Sequence, residues 1–253
     1  MTATLGAIWR HPIKAHGREA IDRVSLRAGE AMPMDRVWGV LHEGGADLAV
    51  TELRAGGWAP CTRFLRAAGT PSLMAIEART DGATGEIELT HPERPPLRFD
   101  PDREEARLLE WLAPLAEPGR AAPCRLVRGG QALTDNAAPS LSIAFRSSHD
   151  SLATGMGQSD LSMLRWRCNL WIDGTSPWEE SGWTGAELAI GSAVLKVIEP
   201  ITRCRATAAN PRTGRIDADT LGALDALGHR EFGILAEVIK SGEIATGDQV
   251  RLS

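Results

Sequence analysis

The sequence predicts a mainly β protein with a few helices. Its apolar residues occur in many short runs bounded by Gly, Pro and Asp, a pattern typical of short strands, whereas helical periodicity is sparse. This density of short strands favours a barrel or a sandwich over a doubly wound sheet. The predicted strands cover residues 5–9, 37–42, 73–78, 87–90, 126–128, 169–173, 187–190, 193–199, 235–240 and 249–252, with one more short strand between two tight turns in residues 241–248.

Three stretches of the chain predict helices. Residues 102–116 are the clearest, because Asp102 can cap the amino end and the apolar residues that follow form a stripe. Residues 219–227 place three leucines on one face, and Gly228 suits the end of that helix. Residues 148–154 predict a third, short helix.

A segment rich in Pro, Gly and Ala, residues 117–123, predicts a boundary between two β-rich parts of the chain. The parts would be residues 1–118 and 119–253. A length of 253 residues suits one large domain or two small ones. The chain is long enough to bury a core without disulfides.

Charge and composition narrow the range of functions. The net charge is −5 and the pI about 5.7, which indicates no general affinity for nucleic acid or for an anionic membrane. No apolar run approaches the ~20 residues that cross a bilayer, and the amino terminus does not resemble a signal peptide. Four widely spaced cysteines without a CxxC pair lack the zinc-ribbon and iron–sulfur patterns and fit a reducing compartment. We therefore expect a cytoplasmic protein.

The segment most suggestive of chemistry is EPITRCRAT, residues 199–207. We expect Pro200 to end the strand before it, which would leave Cys204 in a loop between two arginines. Positive neighbours favour the thiolate, the form that binds a soft metal or attacks an electrophile. The alternative is that Cys204 is a small buried apolar residue, since free cysteines usually serve packing.

Basic residues near the predicted strands are further candidates. Lys14 follows the first strand and could reach a pocket, and Arg36 could offer a forked donor to a phosphate or simply pair with Asp35. Arg167 and Asn169 alternate with the cysteine between them, so in an extended segment both would face one side. That side could contact a heteroaromatic ligand, although a plain edge strand explains the pattern almost as well.

Five motifs in a fixed order carry a resemblance to a known family. They are RHPIKA at 10–15, MDRVW at 34–38, RWRCN at 165–169, WEESGW at 178–183 and RCRATAANPRTG at 203–214. The set resembles the MOSC (molybdenum cofactor sulfurase C-terminal) proteins that carry an N-terminal MOSC module, including the mitochondrial amidoxime-reducing component and its bacterial relatives. The resemblance spans essentially the whole chain. It implies a MOSC β-barrel preceded by a smaller β-rich N-terminal module.

The resemblance also implies a molybdenum cofactor, molybdopterin with its metal, and a role for each matching residue. Cys204 would be the protein ligand of molybdenum and the catalytic residue. The other residues would bind the cofactor: Lys14 and Arg36 at its phosphate end, Arg167 and Asn169 at the pterin, and Thr202 and Arg203 beside the metal. Departures from the family pattern are Ala15 for Ser, Trp166 for Phe and Cys168 for Pro, and Cys168 offers a second thiol near the pocket.

The implied activity is the reduction of small N-hydroxylated compounds by an oxidoreductase. Electrons would come from a separate ferredoxin-, flavodoxin- or cytochrome-type protein, because no flavin, haem or iron–sulfur motif is visible. One alternative is a non-redox carrier that holds the cofactor or sulfane sulfur on Cys204. Another is a cysteine hydrolase or transferase in which His229 assists Cys204.

Overall fold

The computed structural model describes residues 3–117 and 119–253. Strands dominate, so the prediction of a mainly β protein with a few helices is confirmed. The strands are β1 Thr4–Arg10, β2 Glu19–Ile21, β3 Arg23–Leu26, β4 Trp38–His42, β5 Glu77–Thr80, β6 Ile87–His91, β7 Arg94–Phe99, β8 Pro123–Arg128, β9 Leu141–Phe145, β10 Leu170–Asp173, β11 Glu187–Ile190, β12 Ala193–Thr202, β13 Glu231–Lys240, β14 Gly242–Ala245 and β15 Val250–Leu252.

The helices are short and lie between the strands. The α-helices are α1 Val50–Arg54, α2 Glu105–Leu112, α3 Arg146–Gly155 and α4 Thr220–Ala226. Single 3₁₀ turns cover Glu43–Gly45, Cys61–Arg63, Pro71–Ala75, Ala113–Leu115, Met163–Trp166, Glu179–Gly182 and Arg205–Ala208. In the part of the chain that the structure describes, no helix has the length and apolar character to cross a bilayer.

The largest sheet has eight strands in the order β15-β11-β12-β13-β9-β10-β1-β2. The pair β9 and β10 is parallel, and the other neighbours are antiparallel. Aliphatic side chains from these strands form the larger buried core. The sheet therefore combines strands from both ends of the chain, because β1 pairs with β10.

The strand pairings do not close into a barrel among the described residues. Main-chain hydrogen bonds nevertheless connect β1 to the chain that enters β15. Leu5 N donates to Asp248 O at 2.8 Å, and Val250 N donates to Ala3 O at 2.8 Å. In place of the expected closed MOSC barrel, the structure has an open sheet, and isolated main-chain hydrogen bonds connect its first strand, β1, to the segment that enters β15.

The N-terminal half adds three smaller sheets. Strands β5, β6 and β7 form a meander, β4 pairs with β8, and β3 pairs with β14. The meander and α2 surround a second core that includes Trp38, Phe99 and Trp111. The predicted boundary falls at Pro118, which lies outside the described residues, and the division into two domains stays a prediction.

Four strands were not predicted, namely β2, β3, β7 and β9. β7 contains Pro95 and Pro96, which an edge strand tolerates because its outer side needs no ladder hydrogen bonds. β9 is buried at every position, as expected of a strand in the middle of a sheet. The strand predicted at residues 73–78 was wrong, because a 3₁₀ turn occupies Pro71–Ala75 and pairing begins at Glu77.

The predicted helices are present. Asp219 caps α4, accepting a hydrogen bond from Gly222 N at 2.9 Å. Asp102 does not cap α2: its main-chain N–H donates to Asp100 Oδ1, and Glu104 occupies the cap position. The prediction of the cap at Asp102 was therefore wrong.

β12 does not end at Pro200, contrary to the expectation. Pro200 pairs with Ile234, and the strand continues to Thr202, with an irregularity in register on each side of Pro200. A bulge accommodates a residue that lacks an N–H donor. Consequently Arg203 and Cys204 leave the sheet directly at the end of a long central strand.

Gly233 in β13 provides a test of this packing. Its φ is +74°, and a Cβ there would lie 2.5 Å from the carbonyl oxygen of Ile143. We predict that Gly233→Ala lowers the free energy of unfolding by about 3 kcal/mol or more, from backbone strain and steric overlap together. Gly228→Ala, at φ +86° in open space, is the control and should cost only about 1 kcal/mol. Equal losses in urea unfolding would contradict the packing described.

Candidate functional site

Cys204 has a fixed backbone and an exposed side chain. It precedes the 3₁₀ turn Arg205–Ala208, and its carbonyl oxygen accepts hydrogen bonds from Thr207 N at 3.3 Å and Thr207 Oγ1 at 3.1 Å. Thr207 Oγ1 also lies 2.6 Å from Thr220 Oγ1 in α4. The sulfur is thus presented to solvent from a rigid turn, and Cys204 is not a buried packing residue.

Arg203 points the other way and connects the Cys204 loop to the turn before β10. Its Nε donates to Phe232 O at 2.8 Å, Nη1 donates to Trp166 O at 2.9 Å, and Nη2 donates to Cys168 Sγ at 3.0 Å. The guanidinium also lies 5.6 Å from the centre of the Trp166 ring. Each of the three guanidinium nitrogens of Arg203 therefore donates to the chain itself, and the buried Cys168 is one of its partners.

Thr202 is the last residue of β12 and is exposed. It pairs with Glu231 across the sheet. Thr202 and Cys204 are both exposed at the end of this strand. The role of Thr202 beside the metal stays a prediction.

Arg167 lies in the turn that Arg203 contacts. Its φ is +50°, in the left-handed region, so the expected extended segment with Arg167 and Asn169 on one side was wrong. Its Nη1 and Nη2 atoms are buried and have no hydrogen-bond partner among the described residues. A buried charged donor without an acceptor is costly, so the donors of Arg167 are suited to binding an anion.

Arg36 packs directly against this turn. Its Nη2 donates to Arg167 O at 2.9 Å, and its Nη1 contacts the buried carboxylate of Asp35. Burial acts to raise the pKa of Asp35, but Arg36 and hydrogen bonds with His11 outweigh it, and the pKa lies well below its usual range. Arg36 thus makes the ion pair that the sequence left as an alternative, and it also adjoins Arg167.

Asn169 is buried, and its side-chain amide is occupied by the chain. Its Oδ1 accepts from Ser142 N at 3.1 Å and Ser142 Oγ at 2.8 Å, and its Nδ2 donates to Trp9 O at 3.2 Å. Arg36 Nη1 approaches the same Oδ1 at 3.5 Å. In this arrangement Asn169 joins β1, β9 and β10 and supports Arg36.

Lys14 is buried and has a displaceable partner. Its Nζ donates to Leu133 O at 2.8 Å and to Asp135 Oδ1 at 2.5 Å. Burial lowers the pKa of Lys14, and the charge of Asp135 partly opposes this shift. The Asp135 side chain is 75% exposed, so it can turn towards water and release the ammonium group.

Two further polar residues near Lys14 and Arg167, His16 and Arg18, were not predicted. His16 is fully buried, and its Nε2 has no hydrogen-bond partner in the described part of the chain. Arg18 donates to Met74 O at 2.7 Å and to Pro211 O at 2.8 Å, and so holds the loop after Cys204 against the N-terminal half. The sequence feature that could have indicated them is their position shortly after Lys14, on either side of Gly17.

The charges of the cluster do not balance. Burial, followed by the charges of Arg36 and Arg18, lowers the pKa of Arg167 to about 9, against the smaller opposing effects of Asp35 and Asp135. Arg167 therefore stays protonated at neutral pH. Arg18 is paired with Glu77 at 3.5 Å. The other three cations, Lys14, Arg36 and Arg167, stand beside two carboxylates, Asp35 and Asp135, an excess of one positive charge.

Two family models match the chain. The MOSC domain model matches residues 130–251, and the MOSC N-terminal beta barrel domain model matches residues 2–115. The chain belongs to the MOSC-domain family. This family is associated with binding of the molybdenum cofactor, and the MOSC motifs supply the exposed Cys204 and the cluster around Arg167.

Solved structures add only a weak likeness to this MOSC protein. The YuaD protein from Bacillus subtilis is 14% identical over 100% of this chain and 96% of its own, with a TM-score of 0.47. YiiM from Geobacillus stearothermophilus is 18% identical over 45% of this chain and 53% of its own, with a TM-score of 0.36. YiiM from Escherichia coli is 19% identical over the same shares, with a TM-score of 0.33. No curated protein matches the sequence, and no argument below uses these likenesses.

Buried histidines give the MOSC protein a predictable acid sensitivity. Burial, reinforced by Arg167, lowers the pKa of His11 to about 3 and that of His16 to about 4. The unfolded chain therefore binds protons below pH 6.5 that the folded chain does not, and stability falls as the pH drops from 6.5 towards 4. Each such histidine adds up to about 1.4 kcal/mol per pH unit.

We predict that His16→Gln makes the free energy of unfolding less dependent on pH between pH 6.5 and 4.5. The change should correspond to about one proton, up to about 1.4 kcal/mol per pH unit, as measured by urea unfolding at several pH values. His42→Gln, which replaces a partly exposed histidine, is the control and should keep the wild-type slope. An unchanged slope in His16→Gln would show that His16 is protonated in the folded protein.

The uncompensated charge of Arg167 predicts a gain of stability on its removal. Arg167→Met should raise the free energy of unfolding by about 1 kcal/mol or more without added anions, because an unpaired buried charge is lost. The matched control is Arg165→Met, since the buried Arg165 donates to Asp217 at 2.5 Å and to Ala208 O at 3.1 Å. The control should lose about 1–3 kcal/mol. A comparable loss in Arg167→Met would contradict the vacant anion site.

Proposed function

We propose that this protein is a molybdenum cofactor-dependent reductase that acts on small N-hydroxylated compounds. The single observation that carries the proposal is that Arg203, the residue before the exposed Cys204, donates hydrogen bonds to the residues on both sides of Arg167, whose buried Nη1 and Nη2 have no partner among the described residues. MOSC family membership supports the cofactor, and the amidoxime-reducing type is the finer part of the proposal.

The residues present fit the two ends of such a cofactor. A pterin dithiolene already gives the metal two soft sulfurs, and one exposed thiolate, Cys204, suits the same metal. The anionic phosphate end needs charge-assisted donors, each contributing roughly 1.5–3 kcal/mol when well placed. Arg167 has two such donors free, and Arg36 lies against it.

Lys14 would join the phosphate end after a small rearrangement. Its partner Asp135 is exposed, and a carboxylate that can return to water loses little on leaving an ion pair. The ammonium would then exchange one anionic partner for another. Because Lys14 is itself buried, the new pair would be weakly screened by solvent.

The other predicted residues have supporting roles in this proposal. Arg203 fixes the Cys204 loop relative to the Arg167 turn, and Asn169 orients Arg36 through its Oδ1. Thr202 lies at the open edge beside Cys204, where substrate would approach. Arg203 and Asn169 would hold Cys204 and Arg36 in position before the cofactor binds, which lowers the cost of ordering on binding.

When bound, the cofactor supplies the two-electron redox chemistry, and the chain holds and orients it. Conversion of an N–OH group to N–H consumes two electrons and two protons and releases water. The electrons would come from a separate ferredoxin-, flavodoxin- or cytochrome-type protein. We place the encounter with this donor at the exposed face that carries Cys204.

A non-redox carrier is the second candidate, and the exposure of Cys204 supports it as well. A solvent-facing thiol can hold a persulfide or release a cofactor to another protein. Intact mass separates the two candidates: a carrier would show an adduct of about 32 Da, one sulfur, that is lost in Cys204→Ser. For the hydrolase, His229 lies 3.6 Å from Glu231, and no hydrogen bond joins it to Cys204 in the described residues.

Cys204→Ser tests the reductase directly. Protein from a cofactor-competent host should lose bound molybdenum and pterin together, and N-reductase turnover should fall more than about 100-fold, since even supporting residues of metal sites cost 10–100-fold. Cys124→Ser, in β8, is the control and should keep both. Molybdenum and turnover retained in Cys204→Ser would reject this ligand, and wild-type protein without molybdenum would reject the cofactor.

A further inference from the structure

His16 is a buried group that the proposed cofactor attachment does not use. Its Nδ1 lies 2.6 Å from Lys14 O, and because a carbonyl oxygen only accepts, Nδ1 carries the proton. Nε2 then has a lone pair, and it is buried without a hydrogen-bond partner among the described residues. A buried acceptor without a partner is unfavourable, so His16 is poised for a donor that a ligand could bring.

Arg167, on another element, is a charged group that acts electrostatically on His16. With burial as the larger cause, Arg167 lowers the pKa of His16 to about 4, while the hydrogen bond to Lys14 O acts in the opposite direction. Arg167 itself has two vacant donors. The groups around Arg167 and His16 are the cations Lys14, Arg18 and Arg36, the carboxylates Asp35, Asp135 and Glu77, of which Glu77 pairs with Arg18, and the neutral His11, which is bound to Asp35.

An anion on the vacant donors of Arg167 changes the surroundings of His16. An unprotonated Nε2 beside a phosphate oxygen would set two lone pairs against each other, so contact requires a proton between them. A phosphate monoester has a second pKa of about 6. Above pH 7 both partners are unprotonated in the free state, and the proton must come from solution.

We propose that His16 is a specificity residue of the anion site, where Nε2 shares one proton with a phosphate monoester held by Arg167 and Arg36. Each bound ligand then takes up one proton. The inference rests on the proposed function, because there the phosphate end of the pterin occupies this site. It goes further in making the site selective for an anion that can share a proton.

Titration calorimetry of the full chain, produced in a host without the cofactor, tests the proposal. Methyl phosphate is the probe, and two buffers of different ionisation enthalpy give the number of protons taken up. We expect about one proton per ligand at pH 8, and a Kd that rises about tenfold per pH unit from pH 7.5 to 8.5. In His16→Gln the uptake should vanish and the Kd should change by less than about threefold over the same range. His42→Gln should match the wild type.

The outcomes separate the two proposals. Binding to the wild type without proton uptake, or the same uptake in His16→Gln, overturns the role of His16 and leaves the anion site standing. Failure of methyl phosphate to bind the wild type at millimolar concentration overturns both the anion site and the role of His16. Thermal unfolding checks that the variant is folded, and His16→Asn replaces it if it is not.

Discussion

The guanidinium of Arg203 holds the two halves of the candidate site in one geometry. Its three hydrogen bonds end on Phe232, Trp166 and Cys168, and it lies over the Trp166 and Phe232 rings, which stack at 3.8 Å. The residue after it is Cys204, and the turn that it binds contains Arg167. Because each of the three guanidinium nitrogens of Arg203 donates a hydrogen bond inside the protein, we infer that its role is to hold the Cys204 loop against the Arg167 turn. Gly233 permits the close approach of β13 to β9 beside Arg203, since a Cβ there would lie 2.5 Å from Ile143 O.

The anion site is a place where the folded chain is less stable than it could be. Arg167 keeps a buried charge with two vacant donors, and His16 keeps a buried acceptor without a partner. Neither arrangement favours folding of the protein alone, and both become favourable when an anion is present. Relief of the electrostatic repulsion at this site therefore contributes favourably to the free energy of anion binding. The exposed Asp135 gives Lys14 a temporary partner that costs little to remove.

Much of the fold and the chemistry of the site could be predicted from the sequence, but much of the geometry could not. The order of the motifs indicated the family, and the loop around Cys204 was expected where it is found. Arg167 was expected in an extended segment, yet its left-handed backbone follows from contacts with Arg36 and Arg203 that local pattern does not reveal. Lys14 and Asp135 are 121 residues apart, so their pairing has no local signal. The sequence predicts that Pro200 ends its strand. β12 nevertheless accommodates Pro200, because the register between β12 and β13 is irregular there, and this irregularity has no local sequence signal.

In the proposed complex, the thiolate of Cys204 holds the metal end of the molybdenum cofactor, and Arg36 and Arg167 hold its phosphate end. Crystals of the full chain from a cofactor-competent host, measured on both sides of the molybdenum absorption edge, test this most directly. The account predicts a single anomalous peak bonded to the sulfur of Cys204, with phosphate density against Arg36 and Arg167. No anomalous peak, or a peak elsewhere with only water at Arg167, would contradict it.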